Sequence, residues 1–259
     1  MTVFQWLDGL PLPFLFLLTL LYALLAIFLG IRLSALGKSP ISGESIGPAT
    51  GATLGLLAFM LAFTFNMTAS RFDGRKQLLM DEVNAIGSAH LRSGLVAASY
   101  SRELRALIEE YADLRASLAL REIAVGDAIS RSESLQTEMW REVERMVSEQ
   151  PPSVYSSLLI QSLNNMFDLQ SSRVMLGLQF RIPASIWIGL NAIAGLAMML
   201  VGYQLGSTGR RRVIVSCTLA TAFSAVILMI ADLDRAGEGF TSVNQQAFIE
   251  LAQRLHGRD

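Results

Sequence analysis

The stretch from Ile46 to Arg92 constrains this chain most, because it joins two kinds of helix without an interruption. Its first half lies between Glu44 and Arg71, and the roughly 25 uncharged residues between these charges exceed the ~20 that a transmembrane helix needs. Its second half is charged and amphipathic, and no proline follows Pro48 within the stretch. We therefore predict one helix that leaves the membrane and continues into an extramembrane domain.

Three other apolar runs are long enough to cross a membrane. Together with the first half of the stretch above, the predicted spans are Gly9–Ile31, Ser45–Ser70, Ile182–Gly209 and Val213–Ala231. Apolar residues make up 52% of the 259 residues and charged residues only 17%, as is typical of a membrane protein. The first run lacks the basic start of a signal peptide, so we interpret it as a retained span.

The segment between the second and third spans predicts a helical domain outside the membrane. Its apolar residues recur every three to four positions, and Ser153 can cap a helix directly after Pro151 and Pro152. No segment alternates with the period of a strand. We predict an all-α integral membrane protein with transmembrane helices one and two in residues 1–70, an extramembrane helical domain in 71–181, transmembrane helices three and four in 182–231, and a polar C-terminal tail in 232–259.

Several functional classes lack the residues that they need. The net charge of -1 and the absence of a basic stripe argue against nucleic-acid binding. One cysteine, Cys217, and two distant histidines, His90 and His256, predict neither a metal site nor a cofactor, and we expect His90 to be a partly exposed helix residue. No hydrolase, P-loop, zinc-protease or dinucleotide motif occurs, so we predict that the protein is not an enzyme.

On a helical wheel the second span has a face of small residues that suits close helix packing. Its glycines are spaced by four and are Gly47, Gly51 and Gly55. The third span also has small residues, namely Gly189, Ala192, Gly195, Gly202 and Gly206. Helices in lipid associate by close approach of their backbones, so these glycines predict helix–helix contacts and an oligomer.

The two remaining faces of the second span are alternative linings for an ion path. The first carries hydroxyls and then cations, and its candidate residues are Thr64, Thr68, Arg71 and Arg75. The second is bulky and would form a hydrophobic neck from Phe59, Phe63 and Met67. The two faces lie about 120° apart on the helix, so only one of them can face the axis. We favour the threonine face, because a ring of arginines at a pore mouth concentrates anions.

Polar clusters beyond the membrane are candidates for a vestibule. The residues on the helix after the second span are Asp81, Glu82, Asn84 and Arg92. A solvated helix face explains them more simply, and nothing in their spacing is specific to a metal. Two similar clusters, Asn164, Asn165 and Asp168, and Asp232, Asp234 and Arg235, are more typical of helix ends that meet water.

Four segments of the chain resemble a known family. They read AFTFNMTASRFDGRKQLLMDEVNAIGSAHLR, SLNNMFDLQSSRV, RIPASIWIGL with GYQLG, and DLDRAGEGFTSVNQQ. They are similar to the bacterial and plant bestrophin-like membrane proteins of unknown function, except that Ala236 stands where that family usually has proline. Those proteins remotely resemble bestrophins, pentameric anion channels with four spans per subunit. The resemblance implies a pore along the second span, with a hydrophobic neck of residues one turn apart.

The residues and the resemblance together predict a multi-pass protein of the bacterial inner membrane. We expect a homo-oligomeric ring in the lipid bilayer, a pentamer by resemblance, that passes small anions along the second span. The alternative is a non-conducting membrane assembly whose helical domain binds a partner protein. Basic residues flank the spans on both sides, so the orientation of the helical domain stays open.

Overall fold

The computed structural model describes residues 10–36, 43–179, 181–208, 212–235 and 239–257. The helices in these ranges are α1 Leu12–Leu36, α2 Gly43–Ser93, α3 Ala98–Ala119, α4 Val125–Glu149, α5 Val154–Val174, α6 Ala184–Thr208, α7 Arg212–Asp234 and α8 Gln246–His256, with a π-helical turn at Met175–Gln179. The described residues contain no strand, and the predicted all-α class is confirmed.

Four helices are long and apolar enough to cross a membrane, as predicted. They cover Leu12–Leu36, Ile46–Ser93, Ala184–Ser207 and Val213–Asp234. The predicted continuation of the second span is also confirmed, because α2 is one helix of 51 residues that passes through Gly74. A single glycine costs a helix about 1 kcal/mol, which is too little to break one of this length.

The chain divides into two compact units, each with its own core. The first consists of Met1–Phe72 and Arg181–Ser242, and the second of Asp73–Phe180 and Val243–Asp259. The C-terminal segment therefore differs from the separate polar tail that we expected. Its helix α8 buries Phe248, among other apolar residues, in the core of the second unit.

In the first unit α1 and α6 approach closely at glycines. A Cβ at Gly202 would overlap the backbone of Ile27, and a Cβ at Gly30 would overlap that of Met199. Tyr22 Oη also donates a hydrogen bond, 2.7 Å long, to the backbone carbonyl of Asn191, one turn before Gly195 on α6. The contacts advance in the same direction along both helices, so α1 and α6 run parallel. The packing predicted for the small residues of the third span is confirmed at Gly202.

In the second unit α5 starts where the sequence predicts it. The Oγ of Ser153 accepts a hydrogen bond from the backbone N–H of Ser156 at 3.0 Å, and the Ser156 side chain accepts from the backbone N–H of Ser153. This reciprocal cap satisfies two of the donors that a helix start leaves unpaired. The core beneath it includes Leu104, Tyr111 and Leu163, none of which has exposed surface.

Replacing Gly202 by leucine should destabilise the first unit by about 3 kcal/mol, because the new side chain has to push α1 away from α6. The measurement is the thermal midpoint for loss of the folded protein in mild detergent. Gly189→Leu is the matched control, since it lies on the same helix and a Cβ there meets no atom within 4 Å. Equal midpoints for the two variants would contradict this packing.

Candidate functional site

The threonine face of α2 is turned into the first unit. Thr64 and Thr68 have no exposed surface. Their hydroxyls donate to carbonyls of the preceding turn, Thr64 to Met60 at 2.7 Å and Thr68 to Phe65 at 2.8 Å. A hydroxyl that bonds back in this way is stable in an apolar environment. A fully buried side chain does not contact water, so this burial disfavours the threonine face as the lining of a path.

The two arginines predicted at the pore mouth are also turned towards their own chain. Arg71 Nη1 lies 3.5 Å from Asp234 Oδ1, and Arg75 is only 9% exposed. Asp234 in turn accepts the backbone N–H of Ile182 at 3.2 Å. The charge of Arg71 is therefore balanced by Asp234 at the end of α7, which weakens the case for a ring of free cations.

The acidic residues at the end of α7 are buried, whereas we expected a helix end that meets water. Asp232 accepts the backbone N–H of Phe240 at 2.7 Å and that of Thr241 at 3.0 Å. The Thr241 hydroxyl donates to the same carboxylate at 2.6 Å. Asp232 thus orders the segment after α7, and the expectation of a solvated end was wrong because that segment folds back onto the carboxylate.

The bulky face of α2 points away from the chain. Phe59 is 65% exposed and Phe63 is 55% exposed, while Met67 is half-buried. These residues lie one turn apart within an apolar helix. Large aromatic side chains that the subunit leaves uncovered must contact lipid, another subunit or the axis of an assembly.

The glycine face of α2 is open as well. A Cβ added at Gly51 or Gly55 would meet no atom within 4 Å, and one at Gly47 would meet only Gln204 Nε2, at 3.7 Å. These glycines therefore do not pack on the other helices of the subunit. The prediction that they pack on a neighbouring copy stays a prediction.

A buried ionic network joins four helices of the second unit. Glu82, on α2, has no exposed surface and accepts a hydrogen bond from Tyr111 Oη at 2.7 Å. Arg115 Nε lies 3.0 Å from the same carboxylate, and Arg173 Nη1 donates to its other oxygen. The Arg173 guanidinium also stacks on Phe248 of α8, 4.8 Å from the ring centre.

The electrostatics of this network keep the carboxylate as its only anion. Burial raises the pKa of the Tyr111 phenol, and the negative charge of Glu82 raises it further, so Tyr111 stays a neutral donor. Two guanidiniums face one buried carboxylate, so both depend on it for their counter-charge. Sequence patterns do not reveal this network, because contacts over tens of residues leave no local signal.

The structure does not bring the predicted vestibule residues together. Asp81 accepts a hydrogen bond from Gln77 of the preceding turn at 2.9 Å, and Asn84 is exposed. Arg92 Nη1 instead donates to the carbonyl of Leu158 at 3.0 Å. The exposed residues in the other polar cluster are Asn164, Asn165 and Asp168. A solvated helix face accounts for these positions, whereas Glu82 belongs to the buried network.

The expectation of a partly exposed His90 was wrong. This residue is 5% exposed, and its Nε2 lies 2.8 Å from Glu109 Oε1. The reason is that α2 packs against α3, which carries Glu109. Within the described residues no group of three potential metal ligands occurs.

Comparisons with known proteins agree with this architecture. A model of the bestrophin-like domain matches residues 20–248. A bacterial bestrophin homologue from Klebsiella pneumoniae with one point mutation has a TM-score of 0.68 and 14% identity over 95% of this chain and 99% of that chain. A second point variant of that homologue has a TM-score of 0.66 and 13% identity, over 94% of this chain and 97% of that chain. A further membrane-protein structure has a TM-score of 0.67 and 13% identity, over 95% of this chain and 97% of that chain. These similarities show a shared fold. No curated protein matches the chain.

Replacing Glu82 by glutamine should destabilise the second unit by about 3–5 kcal/mol, because two guanidiniums are left without a buried counter-charge. Thermal unfolding in detergent measures the change. Asp81→Asn is the matched control, because it makes the same change of carboxylate to carboxamide one residue away, where the side chain contacts Gln77 of its own helix. It should change stability by no more than about 0.5 kcal/mol. Equal effects would show that the network contributes little.

Proposed function

The chain belongs to the bestrophin-like family, and on this basis we propose that it forms a channel for small anions in the bacterial inner membrane. The channel is a homo-oligomeric ring, a pentamer as the resemblance implies, with α2 nearest the axis. The observation that carries this proposal is the open aromatic face of α2, where Phe59 and Phe63 are both more than half exposed.

The exposure pattern of α2 fits an inner position in a ring. One side of its membrane-spanning half is buried in the subunit through Leu57, Thr64 and Thr68. The other side carries the open glycine and phenylalanine faces. In such a ring, the side of α2 that its own subunit leaves open must contact both the neighbouring subunit and the axis. We assign Gly47 and Gly51 to the neighbour and the phenylalanines to the axis, with Gly55 one turn before Phe59 on the same side as Phe59.

The proposed neck favours anions for a reason that does not need arginine. An aromatic ring has a negative face and a positive edge, so phenylalanines that point their edges at the axis attract an anion weakly. A constriction of this kind also gates by excluding water when it narrows. The neck of Phe59 and Phe63 therefore replaces the threonine and arginine lining as our preferred path.

The alternative function is a non-conducting assembly whose helical domain binds a partner protein. Exposed apolar residues of the second unit favour it, including Val147 at 52% and Tyr155 at 56%. In that case the open faces of α2 serve only packing, and the purified protein does not conduct.

Replacing Gly51 by leucine should disrupt the oligomer and leave the subunit folded. The substitution meets open space within the subunit, so its cost falls on the contact with the neighbour. Cross-linking in mild detergent should show monomers or smaller species, while helical content by circular dichroism is unchanged. An oligomer that persists at wild-type level would remove the glycine face from the interface.

Accessibility of single cysteines distinguishes the two possible linings. Cys217 is the only thiol to remove, and cysteines are then placed at 59, 63, 64 and 68. We expect a charged, membrane-impermeant thiol reagent to label positions 59 and 63 and to spare 64 and 68, which are buried. Chloride release from liposomes containing the wild-type protein is measured in parallel.

The reverse labelling pattern would restore the threonine face as the lining. Protection of all four positions, together with the absence of chloride release, would refute the channel and favour the assembly that binds a partner.

A further inference from the structure

Asn66 is an exposed amide within the second span that no other side chain or backbone group of the described subunit satisfies. Each threonine in this half of α2 donates to a carbonyl of its own helix. Asn66 makes no such bond among the described residues, and its side chain is exposed. An amide without a hydrogen-bond partner is unfavourable in hydrocarbon, so this side chain needs a partner outside the subunit.

Helix geometry shows the direction in which Asn66 points. It follows Thr64, the centre of the buried side, by two residues, which is about 200° of rotation. Asn66 therefore faces almost directly away from the rest of the first unit. Phe59 lies seven residues earlier, which is two turns with about 20° of rotation, so the two residues share one line. Asn66 is about 10 Å further along the helix than Phe59.

We propose that Asn66 forms an amide ring that contacts the permeating ion directly beyond the phenylalanine neck. This inference rests on the proposed channel and names its specificity-determining residue. A carboxamide carries two N–H donors and one carbonyl acceptor without net charge. Its N–H groups replace hydrogen bonds that an anion loses when it gives up water to enter the neck, and a neutral ring does not trap the ion.

Two substitutions test the ring in liposomes and planar bilayers. Asn66→Leu keeps the branching at Cγ and the number of side-chain heavy atoms and removes the hydrogen bonds, and we expect chloride flux to fall at least tenfold. Asn66→Asp keeps the shape and adds one negative charge per subunit, and we expect the reversal potential in a potassium chloride gradient to shift from the chloride to the potassium side. The control is Asn165→Asp, the same change at an exposed residue of α5. It should leave both the chloride flux and the reversal potential unchanged.

The outcomes separate this inference from the channel itself. Wild-type flux together with wild-type behaviour of both Asn66 variants overturns the amide ring and leaves the channel standing. If Asn66→Leu abolishes the oligomer while Asn66→Asp leaves selectivity unchanged, Asn66 bonds between subunits and the ring is overturned. If the wild-type protein gives no flux, the channel fails and the inference fails with it.

Discussion

The structure depends on the one-sided burial of α2. In the first unit this helix buries Thr64 and Thr68 and leaves Phe59 open, and in the second unit it buries Glu82 and Ile86. Thr64 on the buried side donates to a carbonyl of its own helix, and Glu82 accepts from Tyr111 on a neighbouring helix. The open side of the membrane-spanning half carries Phe59 and Phe63, and Asn66 is the amide among them. An uncovered apolar side of this size has to be covered by lipid or by another subunit.

Local patterns in the sequence were sufficient for the elements of the fold. Charge-free runs of about 20 residues identify spans, and the Ser153 cap after two prolines marks a helix start, because each depends on neighbouring residues only. The side on which a helix is buried is a different matter. In the sequence, threonines aligned with Arg71 are typical of a solvent-exposed face. In the structure Arg71 lies 3.5 Å from Asp234, which is 163 positions away along the chain. The hydropathy of α2 could not reveal that pairing.

The buried network depends on contacts between distant parts of the chain. Glu82 was predicted as a vestibule candidate, and its hydroxyl partner Tyr111 lies 29 positions further along the chain. Burial of a carboxylate becomes plausible only when Arg115 and Arg173 arrive from two other helices. Asn66 was missed for another reason. A single amide in an apolar run attracts no notice until its lack of a partner is visible.

The position of α8 has a consequence for the order of folding. This helix is synthesised after α7, yet its Phe248 lies beneath Arg173 and completes a core built from residues before Phe180. The ribosome therefore produces Asp73–Phe180 and both later spans before that core can close. Until then the carboxylate of Glu82 and its arginines have only part of their cover. A truncation within α8 would therefore leave the core of the second unit without Phe248 and its apolar neighbours, even though every earlier helix had been synthesised.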